Sequence, residues 1–234
     1  MEEKLDKNAE VISGMFDSIA GKYDRMNHAM SWGIDRLWRR RFVRELSQAL
    51  PGGAAVLDLA CGTGDLTKAL SRKKFAVTGL DISSRMMAVA KEKCRRLRSQ
   101  PRFILGSAEQ LPFPDGSFDA VTIAFGLRNF DHRAQCLKEI RRVLKPGGRL
   151  AVLDFAVPKN RLWRALYLLY FKTAVRLLGR VAGSAGAYDY FVESVLAFPR
   201  YEALCSELTA AGFAQADWQA YSGGIACAYR ASTR

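Results

Sequence analysis

The chain predicts an α/β fold, a mostly parallel sheet with helices on both faces, and three observations lead there. From Ala54 onward, short apolar runs alternate with stretches of helical apolar spacing. The first apolar run feeds directly into a glycine-containing turn, as strands do at ligand-binding ends of such sheets. The 234 residues, 49% hydrophobic and 25% charged, suit one domain with a sizeable core rather than two independent ones.

Val56 to Ala60 is the first buried strand, and the turn after it opens a helix near Asp65 to Ser71. Phe75 to Leu80 is the second strand, ending at Asp81. Ser83 is placed to N-cap a helix through Met87 and Ala90 toward Arg98. Phe103 to Leu105 and Asp119 to Phe125 are the third and fourth strands. Ala134 to Leu144 has helical spacing until Lys145-Pro146-Gly147-Gly148 stops it, and Arg149 to Phe155 is the fifth strand. A helix over Tyr201 to Ala211 closes at Gly212. Strands around Ala216 to Tyr221 and Ile225 to Tyr229 then pair through a turn at Ser222-Gly223-Gly224.

The run Asp58-Leu59-Ala60-Cys61-Gly62-Thr63-Gly64-Asp65 is the sharpest local signal. Gly62 and Gly64 let the backbone approach a ligand where a side chain would collide. A dinucleotide loop needs a third glycine where Thr67 stands, and a carboxylate at Asp58 suits a cation better than a pyrophosphate. A zwitterionic sulfonium compound fits. Asp81, 23 positions after Asp58 and at a strand end, is placed to accept from ribose hydroxyls; the bland alternative is a helix-capping carboxylate. Ser107-Ala108-Glu109, after the third strand, would flank an adenine.

These features resemble the class I S-adenosylmethionine-dependent methyltransferases over residues 54 to 157. The resemblance implies a Rossmann-like seven-stranded sheet, mostly parallel with one antiparallel strand in a C-terminal hairpin. It implies S-adenosylmethionine as cofactor, held by Asp58, Gly62, Thr63, Gly64, Asp81, Ile82, Ser107, Ala108 and Ala124.

Three further stretches narrow the acceptor. Phe16-Asp17-Ser18-Ile19-Ala20-Gly21-Lys22-Tyr23-Asp24-Arg25-Met26-Asn27 precedes the core, with Ser31-Trp32-Gly33 behind it. Leu111-Pro112-Phe113-Pro114 leads into Phe125-Gly126-Leu127-Arg128-Asn129. Tyr188-x-Tyr190-x-x-Glu193-Ser194 comes before Phe198-Pro199 and Ser222-Gly223-Gly224-Ile225. Together they resemble the quinone-biosynthesis C-methyltransferases, over nearly the whole chain. Three positions depart from that family's habit: Asp35 for His, Asp154 for Glu, and Ala226-Cys227-Ala228-Tyr229 for the usual ending. The resemblance implies a single methyltransferase domain over 1–234. Its parts are an N-terminal helical lid (1–50), the cofactor-binding core (54–157), a substrate- and membrane-facing cap (158–200), and a C-terminal helix and hairpin (201–234).

The implied reaction is methylation of a ring carbon of a polyprenyl quinol, demethylmenaquinol or a methoxy-polyprenyl-benzoquinol. A quinol carbon becomes nucleophilic when a neighbouring hydroxyl loses its proton, so a cation beside that oxygen would help. Arg128, at the C-terminal end of the fourth strand, is the candidate, with Asn129 orienting the oxygen or a water and Tyr23 reaching in from the lid. Water held by Arg128 and Asn129 would take the ring proton. His28 is the alternative base, against its more common role as a packing residue. No metal is called for. The competing acceptors are other hydrophobic small molecules, a sterol or a polyketide.

The five cysteines are scattered, with no CxxC pair and only two histidines, which argues against a disulfide framework or a structural zinc site. Cys61 reads as a packed thiol. The acid in Met1 to Asp6 is unlike a secretory leader, and basic residues interrupt every long apolar run, so the expected location is cytoplasmic; the membrane-dissolved acceptor that the resemblance implies would add peripheral contact with the inner face of the cell membrane. The net charge of +13 leaves nucleic acid, an anionic membrane surface or mere solubility as its meaning, and composition does not choose among them. Arg39-Arg40-Arg41 and Arg95-Arg96 are short and belong to no recognised nucleic-acid module, so no nucleic acid is expected. The segment from Arg161 to Leu178 mixes aromatic, aliphatic and basic residues, and no acid occurs between Asp154 and Asp189, which fits transient contact with an anionic membrane surface as well as a lid helix. A homodimer is left open.

Overall fold

Five of the strands precede the cap: β1 (Ala55–Leu59), β2 (Ala76–Asp81), β3 (Arg102–Leu105), β4 (Phe118–Ala124) and β5 (Leu144–Phe155). The last two, β6 (Gln215–Tyr221) and β7 (Ala226–Ser232), follow it. In the computed structural model, which describes residues 8–181, 183 and 185–234, they join in one sheet of order β3-β2-β1-β4-β5-β7-β6. The acidic opening Met1 to Asp6 lies outside the described residues. β7 runs antiparallel to both of its neighbours and the other pairings are parallel, as a class I methyltransferase sheet requires.

The helices are α1 (Ala9–Ile19), α2 (Tyr23–Met30), α3 (Ile34–Ala49), α4 (Asp65–Ser71), α5 (Ser84–Cys94), α6 (Arg133–Val143), α7 (Arg161–Val181), α8 (Ala185–Ala197) and α9 (Glu202–Ala210). β1 shows how the two faces are made. Its side chains alternate: Leu57 and Leu59 join Leu137 and Ile140 of α6 and Leu204 and Leu208 of α9, whereas Val56 joins Phe42 of α3 and Leu66 of α4. A third cluster sits above the strand ends, where Met26 of α2 meets Tyr167, Phe171 and Val175 of α7 and Phe191 of α8.

Three elements differ from expectation. β5 begins at Leu144, not Arg149: Leu144 pairs with Phe118 and Arg149 with Ala120, so residues 145–148 bulge between two paired stretches, with Gly147 at φ +71. Ser83 caps α5 as predicted, its hydroxyl accepting from Met86 N–H at 3.1 Å. The helix nevertheless ends at Cys94 rather than near Arg98, because the Gln100 amide donates to the carbonyls of Arg95 (2.8 Å) and Leu97 (2.7 Å), taking the place of a further turn. The Ser222–Gly224 connection is a short 3-10 turn packed under Tyr201 and Trp163.

Candidate active site

The C-terminal ends of β1, β2 and β4 and the lid helices α1 and α2 border an open cleft with about 790 Å³ of space, its solvent-facing mouth included. Of the predicted cofactor residues, Gly62, Asp81, Ile82, Ser107, Ala108 and Ala124 line it. Asp58 and Thr63 line an adjoining recess that shares Tyr23, Ala60, Gly62, Ala124 and Phe125 with the cleft. Gly64 lines neither. A Cβ at Gly64 would stand 2.8 Å from Ala90 Cβ, so this glycine, at φ +81, lets α5 close against the loop instead of admitting a ligand. A Cβ at Gly62, at φ +54, would meet no atom within 4 Å and would project into open space.

Two carboxylates organise the cleft. Asp81 accepts the Gly62 N–H at 2.7 Å and the Ser83 N–H at 2.9 Å, so it ties the β1 loop to the start of α5. Burial pushes its pKa up, and those backbone donors act against the rise. Asp58 is 1% exposed and accepts from the hydroxyls of Thr67 and Thr122, the latter at 3.2 Å. Burial raises it to about 7, against the pull of those two hydroxyls.

The donor and acceptor pattern fits S-adenosylmethionine: an open cradle at Gly62, ribose acceptors at Asp81, and a buried carboxyl for a cation. Because a cation binds the ionised form of Asp58, its affinity is full above pH 7. It falls as pH drops through 7, by up to tenfold per pH unit. Calorimetric titration of the cofactor from pH 6 to pH 8 checks this, and Asp58→Asn should flatten the dependence while weakening binding throughout.

The lid is fastened to the cofactor loop by two acids that sequence reasoning quoted but gave no role. Asp17 of α1 accepts from the Ser83 hydroxyl at 2.5 Å and from Arg85 N–H at 3.2 Å. Asp24 of α2 accepts from the Thr63 hydroxyl at 2.6 Å and pairs with Lys93. Their signal was available in the acids flanking Phe16 and Tyr23, each a turn or two from an apolar residue. His28 is drawn into the same fastening: its Nδ1 lies 2.9 Å from Asp35, which also pairs with Arg39. It lines none of the cavities described, so the packing role holds over that of base. Cys61 is buried with Sγ 3.8 Å from Met87 Sδ, and burial drives its thiol well above the ordinary range, as for a packing residue.

Phe16 and Tyr23, edge to face at 5.9 Å, separate the cleft from a second cavity. That cavity has about 400 Å³ of open space, its mouth included, and is walled mainly by Met15, Ile19, Met26, Met30 and Phe191, with Asn27, Arg128 and Tyr190 among the residues that bring polar groups to it. Asn129 lines the cofactor side. Arg128, Asn129 and Tyr23 are therefore brought together at the partition, but Arg128 is not the bare cation expected. Its Nη1 donates to Asp154 at 2.8 Å, the guanidinium is 4% exposed, and it stacks near Phe155 and Phe191. The reason is register: Ala124 pairs with Leu153, so the turn after β4 stands beside the end of β5. Asp154 carried no predicted role, although an acid directly after the apolar run Leu150-Ala151-Val152-Leu153 was a visible signal. Tyr23 is held protonated by burial, which outweighs the field of Arg128.

The profile of the ubiE/COQ5 methyltransferase family matches residues 3–233. The ubiquinone/menaquinone biosynthesis C-methyltransferase of Shewanella sp. (strain ANA-3) is 42% identical over 233 residues, covering 97% of this chain and 92% of that protein. The protein of the same description from Shewanella baltica (strain OS223) is 41% identical over the same shares. Among solved structures, a S-adenosylmethionine-dependent methyltransferase from Thermotoga maritima, described as a possible histamine N-methyltransferase, superposes with a TM-score of 0.67 at 21% identity, over 94% of this chain and 99% of that one.

Proposed function

The chain belongs to the ubiE/COQ5 methyltransferase family, and from that premise we propose that it methylates a ring carbon of a polyprenyl quinol, with demethylmenaquinol as the first acceptor and a methoxy-polyprenyl-benzoquinol as the second. It is an S-adenosylmethionine-dependent C-methyltransferase. The observation that carries the acceptor class is the methionine- and aromatic-walled cavity that meets the cofactor cleft at Phe16 and Tyr23. Such a wall takes a flat apolar ring and adapts to a prenyl chain.

When bound, S-adenosylmethionine supplies an electrophilic sulfonium methyl. The chain's residues do the rest. Asp81 and the Gly62 turn hold the ribose end of the cleft, and Asp58 stands under the recess with its carboxyl near neutrality in proton affinity. The lid, clasped by Asp17 and Asp24, excludes water, so donors at the partition act at low dielectric. Tyr23 and Asn129 offer neutral donors to a quinol oxygen, and the Arg128–Asp154 pair adds a fixed dipole. Charge held on that oxygen delocalises onto the ring carbon that attacks.

The test is transfer of isotope-labelled methyl from S-adenosylmethionine to chemically reduced short-chain demethylmenaquinone, located by NMR. Label on the ring carbon is expected. Turnover of a sterol or polyketide phenol with none of the quinol would replace the acceptor class.

A membrane-dissolved acceptor calls for contact with lipid, and one surface supports it. Leu162, Leu166 and Leu169 of α7 are exposed, and Trp32, at the α2–α3 corner, is 81% exposed. The Tyr170 hydroxyl donates to Met30 O at 2.9 Å, which sets that corner beside α7, and Met30 lines the acceptor cavity. Exposed Arg36, Arg161 and Lys172 supply the positive charge. No described helix is long and apolar enough to cross a membrane. Co-sedimentation with phosphatidylglycerol vesicles, but not phosphatidylcholine ones, is expected, weakening with salt. Leu166→Asp with Leu169→Asp should abolish it while a tail-less quinol is still methylated. Equal binding to both vesicle types would remove the electrostatic part.

A further inference from the structure

Tyr190 of α8 stands outside the cofactor cleft, yet its hydroxyl donates to Asn129 Oδ1 at 3.2 Å. Tyr190 lines the acceptor cavity and Asn129 lines the cofactor cleft, so this hydrogen bond crosses the partition between them. Asn129 itself is set by its backbone: it ends a 3-10 turn, Leu127–Asn129, and its N–H donates to Gly126 O at 3.0 Å. Its side chain is 9% exposed.

A primary amide has two unlike ends, a carbonyl that accepts and an NH2 that donates. Which end faces a reacting oxygen decides whether the side chain stabilises an oxyanion or repels it. The tyrosine hydroxyl occupies the carbonyl end of Asn129. Among the described residues no group accepts from Nδ2, so the donor end has its hydrogen bonds left for a ligand.

We propose that Tyr190 is a positioning residue: its hydrogen bond fixes the Asn129 amide with NH2 toward the hydroxyl oxygen of the acceptor, where charge develops. The inference rests on the quinol-methylation reading above. Tyr190 itself acts as a donor throughout, since burial pushes its phenol up to about 12. Losing the hydroxyl leaves the amide free to present either end, which forfeits part of the 10²- to 10³-fold that one oxyanion donor contributes.

The experiment uses Tyr190→Phe, Asn129→Ala and the double variant, with two readouts. The first is ultraviolet titration of bound 1-naphthol, whose phenolate absorbs apart from the phenol and which needs no cofactor. The wild-type protein should lower the probe's apparent pKa. Tyr190→Phe should move it back toward the free value, and the double variant should match Asn129→Ala. The second is steady-state methylation of reduced short-chain demethylmenaquinone. Tyr190→Phe should lower kcat about tenfold with KM nearly unchanged, and the acid limb of its pH profile should move to higher pH. The cofactor affinity of Tyr190→Phe by calorimetry should stay at the wild-type value, because Tyr190 does not line the cofactor cleft.

An effect of Tyr190→Phe that persists in full on the Asn129→Ala background overturns the inference, because the hydroxyl would then act without the amide. An unchanged naphthol pKa in Tyr190→Phe overturns it equally. Failure of the wild-type protein both to bind naphthol and to methylate the quinol is a different result: it removes the quinol reading and this inference with it.

Discussion

Asp81→Ala should abolish measurable binding of S-adenosylmethionine while leaving a folded, less stable protein. The carboxylate accepts two backbone N–H groups, from Gly62 at 2.7 Å and Ser83 at 2.9 Å, in a site where the side chain is nearly buried. Alanine strands both donors, and each buried donor left without a partner costs about 1–3 kcal/mol. It also removes the charged acceptor for the ribose, where each such hydrogen bond is worth about 1.5–3 kcal/mol. Binding should therefore weaken by more than about 100-fold, since about 1.4 kcal/mol is a factor of ten. Asp81→Asn separates the two effects. Its amide keeps one acceptor but turns NH2 toward the other backbone donor, so it should bind weakly and melt between wild type and alanine. Calorimetry gives the affinity and thermal unfolding the stability. Wild-type affinity in either variant would move the ribose to another part of the cleft.

How much of this could be read in the sequence depended on the range of the interaction. The central strands β1 and β4 were legible because nearly all of their residues are buried, which makes them mostly apolar, and the loop after β1 was legible because its function demands small residues at adjacent positions. Asp58 and Asp81 stood out as acids at the ends of apolar strands. The part played by Gly64 did not, since a glycine needed for helix approach and one needed for a ligand look identical in a sequence, and only the proximity of Ala90 tells them apart. The pairing of Arg128 with Asp154 spans 26 positions and follows from β4 and β5 being neighbours in register, which a linear reading does not contain. Tyr190 reaches Asn129 from a cap helix 61 positions away, and nothing local marks that approach. The bulge at 145–148 was hidden because Pro146 and two glycines ordinarily end an element, whereas here they interrupt a strand that had already begun.

The Arg128–Asp154 pair offers the second large effect, and it distinguishes a charge that holds the fold from a charge that helps the chemistry. Arg128→Ala should lower kcat by 100-fold or more and leave the cofactor Kd within a few-fold of wild type, because Arg128 lines the acceptor cavity and not the cleft. It should also destabilise the protein by about 3–5 kcal/mol, the range for removing one partner of a buried ion pair. The remaining carboxyl is fully buried, and burial already pushes its pKa up against the pull of Arg128. Without that cation it takes up a proton at higher pH still. The sign follows: a raised folded-state pKa means the folded protein binds more protons, so the variant should be least impaired at low pH and lose stability as pH rises. Activity alone cannot then separate catalysis from damage. Arg128→Met with Asp154→Leu can, because replacing a buried pair by apolar side chains of similar volume is often neutral or stabilising. That double variant should recover most of the melting temperature of wild type, and it should remain as slow as Arg128→Ala. Recovery of turnover together with stability would make the pair a packing device, and the stabilisation of the quinol oxygen would then fall to Tyr23 and Asn129.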